Sequence, residues 1–267
     1  MFTTPSGSYN NTFDDVVLTS PANEIAWMAA NKVNINGWDH VSLYGMGSKL
    51  NTAFANAAKT LYLKKIKLGI ACSRVTEVDA VIAFNAAQTD FRKRIHFITT
   101  ELEAEYANNN CTKAQYKQWI PEWYAKCKAA GIKMYIYEGW NYMYDVTVGN
   151  CDGFWLHVYR TSTQIAKTDD AYNYLATAGN DRLISIAAEA VKKEVIVEVS
   201  ILTSCEPPPA NDGKGFSFDW YKYNRWGSVL PMVKDSFNRL ATQAMKDSLI
   251  LDGEIIFVSK HMHTVTG

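Results

Sequence analysis

Seven short runs of extended-chain character, each followed by a stretch with helical spacing, constrain this chain more than any single motif does. The runs are residues 39–46, 67–72, 94–102, 132–138, 153–160, 195–202 and 253–259. Between them, apolar residues recur three and four apart. Ile25, Met28, Ala29 and Val33 predict a helix over 22–37, and Leu50, Phe54, Ala57, Ala58 and Leu61 predict one over 50–65 with a basic last turn. Further helices are expected over 75–91, over 112–130 with Gly131 as the stop, over 169–194 with a break at Gly179 and Asn180, and over 226–248. Strands joined through helices pair in parallel by right-handed crossovers. The expected fold is therefore α/β, a (β/α)8-type TIM barrel with seven clear strands, the eighth being missing, cryptic or supplied by the N-terminal arm. A doubly wound open sheet is the alternative. Against it, Gly45 and Gly47 after the first strand match a dinucleotide-binding glycine pattern only loosely.

Length and composition fit that reading. A chain of 267 residues suits one barrel, and 48% hydrophobic with 20% charged residues supplies ample core. Residues 1–22, rich in Thr, Ser and Asn, are expected to form an extended arm, and residues 23–267 a single barrel-like domain. Lys plus Arg equals Asp plus Glu at 27 each, so no global field draws nucleic acid or an anionic membrane. No run approaches the ~20 apolar residues needed for membrane insertion. The first residues lack the basic start and apolar run of a signal peptide, so the chain as written reads as soluble and unexported; a longer parent would make it secreted or cell-surface. The five cysteines are scattered without zinc spacing, which argues against a full disulfide framework but leaves one or two bridges open.

In parallel α/β folds function collects at the carboxyl ends of the strands. There the sequence offers Tyr44, then Ser73 and Arg74, then Glu101 and Glu103, then Glu138 and Trp140, then His157, Tyr159 and Arg160, with Glu198 and Ser200 on the sixth strand and Lys260, His261 and His263 after the seventh. Carboxylates on several strands, flanked by flat rings, are what glycoside hydrolysis requires. One acid protonates the leaving oxygen, the other attacks or activates water, and aromatic faces hold the sugar. Glu101 and Glu138 are the expected working pair, with Glu103, Tyr44, Trp140, His157, Tyr159 and Glu198 binding substrate. A separation of roughly 5 Å implies retention and roughly 6.5 to 9.5 Å inversion. Each carboxylate alone also reads as a structural ion-pair partner. No metal site, cofactor, serine elbow or catalytic cysteine is expected.

FITTELEAEY from residue 97, YIYEGW from 135, CDGFWLHVYR from 151 and VIVEVSIL from 195 together resemble uncharacterised glycoside-hydrolase-like TIM-barrel domains found in Bacteroidetes. The resemblance covers most of residues 38–260. In that group an acidic, aromatic third-strand end and a His-x-Tyr on strand five recur, matching Glu101, Glu103, Tyr106, His157 and Tyr159. It implies a barrel and carbohydrate as the partner. Two readings follow: a glycosidase, or a non-catalytic barrel that binds or builds a larger assembly such as a surface adhesin or virion component, with protein partners.

Overall fold

The computed structural model describes residues 22, 23, 26, 40–43, 50–100, 111–138, 143–157, 168–204 and 230–257. Its elements in chain order are β1 (His40–Leu43), α1 (Thr52–Leu63), β2 (Lys67–Cys72), α2 (Val75–Ala86), a 3-10 turn (Phe91–Lys93), β3 (Phe97–Thr100), α3 (Lys113–Ala129), β4 (Lys133–Glu138), the single-turn α4 (Tyr144–Thr147), β5 (Gly153–His157), α5 (Thr168–Lys193), β6 (Val197–Ser204), α6 (Leu230–Leu240), α7 (Gln243–Asp247) and β7 (Leu249–Phe257). The seven strands form one sheet in strict sequential order, all parallel.

That order decides between the two candidate architectures. A doubly wound sheet reverses direction at a switch point; this one never does, so right-handed crossovers place every helix on the same face. The other face must then be covered by the sheet itself, and the rings show that it is. His40 on β1 lies 5.0 Å from Phe97 on β3 and 6.1 Å from Tyr135 on β4, centroid to centroid. Three strand spacings in a flat sheet would separate β1 and β4 by about 14 Å. The sheet is therefore curled, with His40, Phe97, Tyr135 and Trp155 meeting inside the curve, in the manner of a TIM barrel.

Alternation then sorts every strand. Ser42, Gly69, Thr99, Tyr137 and Trp155 are buried on the concave side. Leu43, Leu68, Ile70, Ile98, Met134, Ile136, Phe154 and Leu156 form the convex set and are essentially inaccessible. Helices cover that convex set through narrow apolar stripes. In α3 the stripe is Tyr116, Ile120, Trp123 and Cys127, spaced four, three and four apart. Its start is a reciprocal capping box: the Gln115 N–H donates to Thr112 Oγ1 at 3.2 Å and the Thr112 N–H to Gln115 Oε1 at 2.8 Å. At the end of α2, the buried Asn85 side chain donates to the Ile95 carbonyl and accepts from the Ile95 N–H, both at 2.8 Å, tying that helix to the entry of β3.

One local device recurs at three helix-to-strand turns. After α1, Ile66 N–H bonds Leu61 O at 3.0 Å and Lys65 N–H bonds Tyr62 O at 2.8 Å; equivalent pairs follow α3 at Gly131 and α5 at Glu194. These are Schellman motifs, whose left-handed residue is Lys65 (φ 64), Gly131 (φ 68) and Glu194 (φ 56). Glycine is at home there; lysine is not. Lys65→Gly is expected to raise stability by about 0.5–1 kcal/mol, the left-handed penalty less the freedom glycine adds to the unfolded chain. A thermal melt about 1–4 °C higher checks it.

Several boundaries differ from the sequence expectation. Helix α1 ends at Leu63, so Lys64 and Lys65 form its cap and turn, not its last turn. Helix α5 runs unbroken through Gly179 and Asn180. An internal glycine costs only about 1 kcal/mol, and burying Leu183, Ile186, Ala187 and Ala190 in the next turns outweighs it. The stretch 226–248 contains two helices that separate at Ala241 and Thr242. Strand β7 begins four residues early, at Leu249, and carries one extra residue between Leu251 and Gly253. The expected helix over 22–37 falls mostly outside the described residues; of those described, Ala22, Asn23 and Ala26 are helical. Among the described helices none is long and apolar enough to cross a membrane.

Candidate active site at the carboxyl ends of the strands

The concave side is layered along the barrel axis. Its lower layer is the ring cluster, with Phe97 lying 5.7 Å from Tyr135 and 5.6 Å from Trp155, and Tyr135 stacked on Trp155 at 5.9 Å. Missing side chains make room for these bulky ones. A Cβ on Gly69 would collide with the Phe97 ring, one on Gly253 with the Ser200 side chain, and one on Gly153 would come within 2.7 Å of the Glu198 carbonyl. Small-beside-large packing of this kind fills a narrow barrel.

Above the rings the lining turns polar. Ser42 Oγ and Thr99 Oγ1 are hydrogen bonded at 3.2 Å, both fully buried, across β2, where Gly69 is opposite Ser42 and Ala71 opposite Thr99. Tyr137, 6% exposed, continues this layer on β4. Hydroxyls bonded to one another inside a barrel satisfy their own polarity, so they form a stable floor beneath the strand ends.

The rim is partly visible. After β2 the chain turns into α2, where Glu77, which the sequence reading passed over, fixes the junction: its Oε2 accepts from the Ser73 N–H at 2.6 Å and the Arg74 N–H at 3.2 Å. An acid two residues into the first turn after an extended pair is the signal that reveals it. Glu138 is the last residue of β4, opposite Leu156, and His157 is the last of β5, opposite Leu202. Their registers differ in consequence. In strand position His157 stands two residues past Trp155, and Glu138 two past Ile136.

Glu198 lies at the other end. It is the second residue of β6, paired with Gly153 at the start of β5, while β6 continues to Ser204. About 20 Å of strand separates it from the carboxyl rim. Its side chain is half exposed and faces Lys133 Nζ at 3.8 Å. Its alternation with Ser200 was readable in the sequence, but alternation reports the face of a strand and not the height along it. Glu198 thus belongs to the amino-terminal mouth and not to the substrate rim. Tyr44, Glu101, Glu103, Trp140, Tyr159, Arg160, Lys260, His261 and His263 lie outside the described residues.

The thiols of Cys72 on β2 and Cys127 on α3 lie on the convex side, away from this hollow. Cys72 and Cys127 are free thiols. Burial, reinforced by Glu77 and Cys127, holds the Cys72 thiol well above its ordinary value. Burial with the Asp152 charge nearby pushes Cys127 up to about 12. Both stay protonated and convex-facing, as packing groups. Among the described residues no group of three or more His, Cys, Asp or Glu is arranged to hold a metal ion.

No protein-family model matches the sequence, and no curated protein matches it. Among solved structures the chain is similar to a chitinase from Chromobacterium violaceum ATCC 12472, at 11% identity, covering 77% of this chain and 68% of that one with a TM-score of 0.41. At that similarity it assigns neither residues nor activity to this chain.

Proposed function

We propose that the hollow above the Ser42–Thr99 floor is a glycan site and that the protein is a glycoside-hydrolase-like barrel working through the acids that follow β3. The observation that carries the reading is the curvature of the sheet, which brings concave side chains of β1, β3, β4 and β5 onto one axis. An alternation continued past the strand ends would turn its residues toward one hollow. In sequence, Glu101 and Glu103 continue the alternation of Phe97 and Thr99, and Tyr159 that of Trp155 and His157. Glu101 is accordingly the first carboxylate. Glu103 shares its alternation, whereas Glu138 partners Glu101 only if the chain after β4 swings it inward. Tyr44, Trp140 and Tyr159 supply flat faces for the sugar, and His157 a hydrogen bond. The chemistry, proton donation to the leaving oxygen and attack at the anomeric carbon, needs two carboxyls and no cofactor.

The test is a reducing-end assay over a panel of soluble polysaccharides, run beside a glycan array. Release of reducing ends from a glycan that also binds is the expected result. Binding without release makes the barrel a carbohydrate-binding module; neither binding nor release removes the glycan reading.

A further inference from the structure

We infer that the amino-terminal end of the barrel carries a docking surface for an anionic lipid bilayer, built where the α1–β2 turn meets the 3-10 turn before β3. The two segments are joined through Tyr62, whose ring packs edge-on against Phe91 at 5.3 Å and stacks on His96 at 5.1 Å. Lys59 Nζ adds a link to Asp90 at 3.2 Å. Residues 59–67 and 90–96 together hold seven Lys or Arg and one acid, Asp90, in a chain whose total charge is zero. That single acid is taken up by Lys59 and Arg92. Lys64, Lys65 and Lys67 are exposed and have no ion pair among the described residues, and Arg94 is exposed with its guanidinium on the Gln88 carbonyl. Among these cations stand two of the most exposed large apolar side chains described, Leu63 at 62% and Phe91 at 56%.

Basic residues after a helix are ordinary, because they complement the helix dipole. That explains Lys64, but not the cations around Phe91, which lie within or directly after a turn of only three residues. Nor does it explain Lys65, which keeps its charge at a left-handed position where glycine would be more stable. Anionic partners of any kind would satisfy the cations. Leu63 and Phe91 decide among them: an aliphatic and a phenyl group projecting beside lysines gain nothing from phosphates and gain burial at the headgroup–acyl boundary. The surface lies at the opposite end from the proposed glycan hollow, so a docked barrel would present its carboxyl rim away from the bilayer. This inference stands independently of the glycan reading.

Flotation with phosphatidylcholine vesicles, with or without phosphatidylserine, tests it on the full chain. Partition onto the phosphatidylserine vesicles only, weakening as salt rises, is expected. Lys65→Gly combined with Lys93→Gln should lower the partition coefficient about 30-fold, at about 1 kcal/mol for each cation near the surface. Because Lys65→Gly favours the fold, such a loss cannot come from unfolding. Leu63→Ser, at an exposed site, should weaken vesicle binding as well. The inference is overturned by no partition, by equal partition onto both vesicles, by indifference to the double substitution, or by indifference to Leu63→Ser. Capture of a DNA duplex in the last case would make the surface a polyanion site instead.

Discussion

Glu101→Gln is expected to lower kcat on a cleaved glycan by about 10³-fold while the thermal melt stays unchanged. General acid or base catalysis by a positioned carboxyl contributes about 10²–10⁴-fold, and 10³-fold is about 4 kcal/mol of barrier. Glutamine keeps the shape and the hydrogen-bonding oxygen but neither donates a proton nor attacks. If Glu101 is the acid, the loss should shrink with an aryl glycoside whose leaving group departs without protonation; if it is the nucleophile, the loss should persist. The two neighbours then separate by register. Glu103→Gln should lower turnover by a comparable order, while Glu138→Gln, on the alternation of Met134 and Ile136, should leave kcat within a few-fold. A Glu138→Gln enzyme as inactive as Glu101→Gln would show that β4 delivers its terminal residue inward after all, and Glu101→Gln with full activity would end the hydrolase assignment.

The architecture was legible because its signal is repeated. Each strand is a short β-branched or aromatic run, and each helix carries one stripe such as Tyr116, Ile120, Trp123 and Cys127. Seven such units admit few parallel arrangements. Less legible were features set by neighbours. The early start of β7 depends on Leu249 and Leu251 packing beside Val197 and Val199. The continuity of α5 depends on the sheet beneath it, which overrides a glycine's local preference. The Glu198 misplacement has a geometric cause, since period-two alternation carries no information about depth. Net charge hid most. Equal totals of 27 conceal the fact that residues 59–67 and 90–96, separate in sequence, are drawn together by the Tyr62 ring. Only tertiary contact turns two ordinary basic turns into one cationic surface.

Gly69→Ala should destabilise the protein by about 3 kcal/mol, lowering its melting temperature by about 6–12 °C. The sign alone is informative. A strand glycine is ordinarily a weakness, and alanine there would add about 0.5–1 kcal/mol. Here the Cβ would occupy space taken by the Phe97 ring. That ring cannot yield, because it is fully buried and wedged by His40 at 5.0 Å, Trp155 at 5.6 Å and Tyr135 at 5.7 Å. Overfilling a site with immobile walls forces backbone displacement along β2, which lies in register with both β1 and β3. Phe97→Leu should relieve the clash: alone it destabilises by opening space, but in its presence Gly69→Ala should add less than about 1 kcal/mol, giving a coupling of about 2 kcal/mol in a double-mutant cycle. Additive effects, or a Gly69→Ala protein as stable as the parent, would mean that the rings do not converge over β2. The curled sheet, and with it the basis for proposing one hollow above β3, would then lose its physical support.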